Sequence, residues 1–133
     1  MIRAEDKLAD FQWQNRVLLS QVASKAVLAK WQAYAAYQQV DLTARKLVVF
    51  VQVDKAVYRL APQQDQLTSV HLRQDILTLL NRHADTVLLI GLDGGIKQYY
   101  PLNDFSLEQV FADVDLMPMR KAEIGNNPNM KTN

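Results

Sequence analysis

The stretch Thr86–Tyr100, TVLLIGLDGGIKQYY, constrains the fold more than any other part of the chain. Val87 to Ile90, with Thr86 leading in, form a nearly unbroken apolar run. It is too short for a helix and rich in branched side chains, which suits a strand buried on both faces. Asp93-Gly94-Gly95 follows with residues that tolerate positive φ, as a tight hairpin turn matched to strand twist requires. Ile96 to Tyr100 then returns beside the first strand. A hairpin of this kind needs a sheet around it, and the preceding residues supply one.

Arg16 leads into Val17-Leu18-Leu19, a first strand ending near Ser20-Gln21-Val22, and Ser24 reads as the N-cap of a helix from Lys25 to about Val40. Val27, Trp31 and Tyr34, with Leu28 and Ala35 alongside, mark its expected apolar face; Lys25, Gln32 and Gln39 mark the other. Trp31, Tyr34 and Tyr37 read as core aromatics rather than a binding stripe. Arg45-Lys46 precedes Leu47 to Val53, continuous and β-branched, a second buried strand. The segment from Asp54 to Thr68 is the least regular, with room for a short edge strand at Val57 to Leu60. Thr68 or Ser69 caps a helix to about Asn81 on Leu72, Ile76, Leu79 and Leu80. Upstream of all this, Leu8, Phe11 and Trp13 are expected to reach the core.

After the hairpin, Ser106 and Gln109 have the spacing of a capping box, flanked by Phe105 and Val110 at staple positions. Leu107, Val110, Phe111 and Val114 repeat at i, i+3, i+4 and i+7, the strongest helix signal present, and Pro118 is expected to end it. The domain therefore spans 1–124, with 125–133 a polar, disordered tail. Strand, helix, strand, helix, strand, hairpin strand, helix gives a first pair of strands that is parallel and a last pair that is antiparallel. The expected fold is α/β: a thioredoxin-like three-layer sandwich, a four-stranded mixed sheet with helices on both faces.

Composition limits function by exclusion. The 133 residues suffice for one domain with a real core. Fifteen basic and fourteen acidic residues leave a net charge of +1, which provides no overall field for nucleic acid. No apolar run approaches a membrane span. The absence of cysteine removes disulfides, thiolate metal sites and protein-thiol chemistry in cis. No calcium-type acidic loop or phosphate-cradling glycine loop is present, so no metal or cofactor is expected. His71 and His83, twelve residues apart at the two ends of one helix, are too distant to share a metal.

The segments FQWQNRVLL, ARKLVVFVQV, LLIGLDGGIK and DLMPMR, in that order, resemble the peroxiredoxin-like domain of unknown function DUF4174 over roughly Leu8 to Glu123. One departure is Leu92, where many members place a lysine. The resemblance implies a thioredoxin-like fold and an exported bacterial protein, periplasmic or secreted, whose signal peptide would lie outside this chain. In such a fold the redox centre sits where the first strand meets the first helix, here Ser20 to Ser24. No cysteine occupies it, and His83-Ala84-Asp85-Thr86 lacks the proline that redox members carry before the third strand.

The expected function is therefore a non-catalytic module that binds an envelope or extracellular protein or a small ligand, with no catalytic residue assigned. The alternative is an enzyme using arginine and aspartate acid-base chemistry at an unrecognised site. Topology supplies the candidate binding residues. Arg16 and Arg45 begin their strands at the pole opposite the vacated redox position, and Asp93 and Lys97 turn there. The last helix descends to it, bringing Asp115, Met117, Met119 and Arg120. The pole reads either as a lock, with Arg16 or Arg120 pairing Asp93 or Asp115, or as a binding surface of adaptable methionines and arginine forks.

Overall fold

The computed structural model describes residues 7–61, 66–68 and 70–125. Among these residues six strands, β1 (Arg16–Val22), β2 (Leu47–Val53), β3 (Ala56–Ala61), β4 (Gln66–Leu67), β5 (Thr86–Ile90) and β6 (Ile96–Pro101), form one mixed sheet in the order β4-β3-β2-β1-β5-β6. β1 and β2 run parallel from Arg16↔Leu47 to Val22↔Val53. β5 lies antiparallel on the other side of β1, with Val17 opposite Ile90, and β6 is antiparallel to β5.

The sheet is larger than the four strands expected from the sequence. Val53 pairs with Ala56, so Asp54 and Lys55 make a two-residue turn in which Asp54 adopts a φ of 52°. That turn folds β3 back along β2, and the two-residue β4 pairs outside it. The edge strand read at Val57 to Leu60 is the centre of β3.

Five α-helices, α1 (Lys25–Tyr37), α2 (Gln39–Ala44), α3 (Val70–Arg82), α4 (Leu107–Asp115) and α5 (Pro118–Gly125), are described, with a short 3-10 helix at Leu8–Phe11. Alternation along the strands divides the core. Leu18, Val22, Val49 and Val51 pack with α1, α2 and α4, whereas Val17, Leu19, Val48 and Phe50 pack with α3 and Phe11. Helices thus cover both faces of the sheet.

Several local expectations shift. The helix read from Lys25 to Val40 is two helices that break at Gln38. Its buried ridge is Leu28 and Ala35; Val27 is exposed. Trp31 and Tyr34 are partly buried against the core, Trp31 stacking on Phe105 at 5.2 Å, while Tyr37 is 86% exposed. Trp13 is also exposed, at 58%: its φ of 68° and the bond from its N–H to the Leu92 carbonyl at 2.6 Å turn it away from the core that receives Phe11.

Caps follow the sequence more closely. Ser24 Oγ accepts from Val27 N, and Ser106 Oγ accepts from Gln109 N at 3.2 Å. Of the α3 caps read at Thr68 or Ser69, Ser69 lies outside the described residues, and Thr68 Oγ1 is buried with no hydrogen-bond partner among them. α4 ends at Asp115, before Pro118, which opens α5 rather than closing α4. Proline suits a first helical position because its missing N–H has no partner to lose there. Gly125, read as the start of the tail, is the last residue of α5, and 126–133 lie outside the described residues.

Candidate functional site

β1 and β2 start at one end of the sheet, and antiparallel β5 brings its turn to the same end. Every residue placed there by topology has its position fixed by one of these elements or by α4 and α5. Arg16, the first residue of β1, is 1% exposed. Its Nη1 donates to the Arg45 carbonyl at 2.9 Å and to Glu123 Oε1 at 3.3 Å, and its Nη2 donates to Glu123 Oε2 at 3.2 Å.

Arg45, two residues before β2, grips Asp115 through Nε at 3.1 Å and Nη2 at 2.9 Å, while its Nη1 reaches the carbonyl and side chain of Asp41. Its guanidinium lies 4.5 Å from the centre of the Phe111 ring, a cation–π contact. Arg120, 3% exposed on α5, donates to Asp115 Oδ1 at 3.1 Å, to the Ala44 carbonyl at 2.9 Å and to Glu123 Oε1 at 3.4 Å.

The result is a continuous chain, Arg16–Glu123–Arg120–Asp115–Arg45, that straps α5 across the starts of β1 and β2. Burial alone would push the Asp115 carboxyl up; the Arg45 and Arg120 guanidiniums outweigh it and hold the group below the usual carboxylate range. Arginine suits this work because its planar fork serves two acceptors at once.

Sequence reasoning missed Glu123 and Asp41. Glu123 stands three residues after Arg120, a helical pair spacing that would have been visible had Pro118 been read as a helix start. Asp41 stands four before Arg45.

Asp93 pairs with Lys97 rather than with an arginine. Lys97 Nζ donates to Asp93 Oδ2 at 2.6 Å, and Gly95 N donates to Oδ1 at 2.9 Å. The lysine first and the Gly95 amide second hold this exposed carboxyl low. Gly94, at φ 85°, supplies the left-handed residue of the turn. Gly91 serves a different need: a Cβ there would sit 2.7 Å from Lys97 Cε, so its absence lets the lysine stem lie against the backbone. On the other side, Gln12 Nε2 donates to the Asp93 carbonyl at 2.9 Å.

Between the turn and the start of α5 lies a cavity of about 290 Å³. Arg16, Asp93, Lys97, Met117 and Met119 line it, with Leu92 and Pro118; Arg45, Asp115 and Arg120 belong to the ion-pair chain and not to the lining. A second cavity, of about 280 Å³, lies between the turn and the 3-10 helix and shares Gly91 and Asp93 with the first.

The opposite end of β1 offers less. Ser20 is fully buried and its Oγ has no hydrogen-bond partner among the described residues. Ser24 is committed to capping. Of the two histidines, His71 is exposed and His83 is half-buried, 5.1 Å from the Tyr99 ring. No group of three or more histidine, aspartate or glutamate side chains is arranged to hold a metal among the described residues.

Comparison with family profiles matches residues 7–123, which include every residue of the pole, to the family described as a domain of unknown function, DUF4174. The chain belongs to that family. No curated protein and no solved structure matches the DUF4174 chain. No helix among its described residues is long and apolar enough to cross a membrane.

Proposed function

We propose that this DUF4174 chain is a thioredoxin-like module, exported to the bacterial envelope or beyond, that binds a ligand or partner at the Arg16–Met119 pole and performs no thiol chemistry. The single observation carrying the binding reading is the cavity itself. It pairs an apolar wall of Leu92, Met117, Pro118 and Met119 with a buried guanidinium and an ion pair at its edge. Binding pockets have this composition: apolar area for affinity and a few fixed polar groups for orientation.

Two further features support the thioredoxin-like and non-catalytic parts. Strands β2-β1-β5-β6, with their parallel and antiparallel senses, follow the order and direction of a thioredoxin-like core. The chain has no cysteine at the end of β1 or anywhere else. The exported location rests on the family resemblance alone.

The acid-base alternative fits less well. Asp115 and Asp93 are both held below the ordinary carboxylate range by cations, which makes them weak proton acceptors near neutral pH. The test combines activity and binding. Purified protein should show no peroxide or disulfide reduction. It should retain a partner from envelope extract that Met119→Glu loses while keeping its urea midpoint. Turnover of either redox substrate, or equal capture by the variant, overturns the proposal.

A further inference from the structure

We infer that the pole cavity takes a monocarboxylic acid on an unbranched apolar chain, its carboxylate held by the edge of the Arg16 guanidinium that is unmatched among the described residues. This rests on the reading of the pole as a binding site and gives that site a ligand class. An arginine guanidinium has two two-donor edges and a fifth, single N–H on Nη1. On Arg16 the outer edge, Nη1 with Nη2, is on Glu123, and Nη1 also serves the Arg45 carbonyl. The remaining edge is Nε with the far side of Nη2, and Nε is buried with no hydrogen-bond partner among the described residues. This edge is the planar, bidentate geometry that suits a carboxylate.

The side chain carrying that edge is 1% exposed and lines the cavity. A buried donor without an acceptor is costly, so the site favours an occupant that brings an anionic oxygen pair. Charge agrees. The network holds three guanidiniums, of Arg16, Arg45 and Arg120, against two half-buried carboxylates, of Asp115 and Glu123; the third acid, Asp41, is exposed. α5 begins at Pro118 within the cavity lining and has no acidic residue in its first turn, so its positive end is not neutralised there.

A dianion is disfavoured because Lys97, the other cation of the lining, is already bonded to Asp93, whose charge faces the same space. The remaining wall is apolar. Met117 and Met119 are unbranched and adaptable, able to swing aside and admit the head group to Nε. At ~30 Å³ per water-sized unit, 290 Å³ holds roughly ten non-hydrogen atoms, the size of octanoate.

The experiment titrates the whole chain with sodium octanoate and with octan-1-ol, reading the Met117 and Met119 methyl and the Gly91 amide resonances. A leucine-ending peptide and its C-terminal amide form a third arm. Octanoate should shift these resonances and bind at least about tenfold more tightly than octanol, a difference of ~1.4 kcal/mol. A stronger response to the free-ended peptide than to octanoate overturns the unbranched-chain part of the inference and gives the carboxylate to a peptide chain end; the reverse supports a free acid. Arg16→Lys keeps the charge and removes the fork, so its octanoate affinity should fall about tenfold.

Because Arg16 is buried, Met119→Glu provides the second variant. Met119 is 45% exposed, and a glutamate there competes for the same edge. It should weaken octanoate at least about tenfold while leaving octanol within about twofold. Octanol binding as tightly as octanoate at these resonances overturns the carboxylate assignment and leaves pole binding standing. No shift at the pole with any probe up to about 10 mM overturns the inference, whereas equal partner capture by the parent and by Met119→Glu in the extract assay is what overturns the pole itself.

Discussion

Arg120→Ala tests whether the ion-pair chain holds α5 to the sheet. The side chain is 3% exposed and donates to Asp115, Glu123 and the Ala44 carbonyl. Truncating one member of a buried ion pair costs about 3–5 kcal/mol when its partner is stranded. Here the partners are not stranded: Asp115 keeps Arg45, Glu123 keeps Arg16, and both are partly in solvent at 35% and 21% exposure. That lowers the ionic part to about 1–2 kcal/mol. The Ala44 carbonyl loses the Arg120 N–H, adding about 1 kcal/mol, and the buried stem leaves a void.

The expected total is about 3 kcal/mol. With a urea slope of ~1.5 kcal/mol per molar for a domain of this size, the midpoint should fall by about 2 M with the slope unchanged. Arg120→Lys, which keeps a charge and loses the fork, should fall between the two. Circular dichroism at the helix band against urea measures all three proteins. An Arg120→Ala midpoint within about 0.3 M of the parent would refute the strap, because the buried contacts would then contribute nothing measurable.

Ser106→Ala should cost about 1 kcal/mol through the lost acceptor for Gln109 N, and coincident urea midpoints would move the start of α4 elsewhere. Trp13→Gly should leave stability unchanged or raise it by up to ~1 kcal/mol, since the residue is exposed and held at φ 68°; a loss above 2 kcal/mol, roughly one side chain's burial, would put Trp13 back in the core. Asp115 titrates lower in the folded chain than its ordinary 3.8, so the unfolded chain takes up its proton first as pH falls. The stability it contributes is full above about pH 4 and is lost on further acidification. Asp115→Asn should therefore be less stable than the parent near neutrality and show a flatter decline below pH 4; parallel acid limbs in the two proteins would count against the Arg45–Asp115–Arg120 clamp.

The parts of the fold that could be read from sequence are those where one physical requirement dominates. β1, β2 and β5 are buried on both faces, so they appear as continuous apolar runs, and β2 has the bounds read for it, Leu47 to Val53. The hairpin announces itself through Asp93-Gly94 because a left-handed residue is needed, and Gly94 supplies it. The β2–β3 hairpin was harder. Its turn is Asp54-Lys55, with an aspartate rather than a glycine in the left-handed position, and Pro62 and the glutamines beyond it weaken the strand signal. α1 misled because alanine fills much of its surface, which blurs any apolar face; only Leu28 and Ala35 are buried.

The candidate site was legible as a place before it was legible as contacts. A parallel β1–β2 pair and an antiparallel β5 dictate which strand ends meet, whatever the side chains do, and that brings Arg16, Arg45 and Asp93 to one pole, where α4 ends at Asp115. The pairing within that pole depends on side-chain geometry. Asp93 takes the lysine four residues away, Asp115 takes two arginines, and Arg16 takes Glu123. The lock and the binding surface, set against each other as readings of the sequence, separate by residue. Arg45 and Arg120 spend their donors on Asp115, Glu123 and backbone carbonyls of the α2 region, which fits them to hold α5 in place. Arg16 is anchored by the same network but, among the described residues, keeps one donor edge unmatched, and its side chain lines an apolar cavity. A lock alone needs no such edge, since a buried ion pair earns little stability over a hydrophobic substitute of the same shape. The division predicts different failures: loss of Arg120 should loosen α5 and lower the unfolding midpoint, whereas Met119→Glu should leave that midpoint alone and compete for the Arg16 edge that the proposed carboxylate would use.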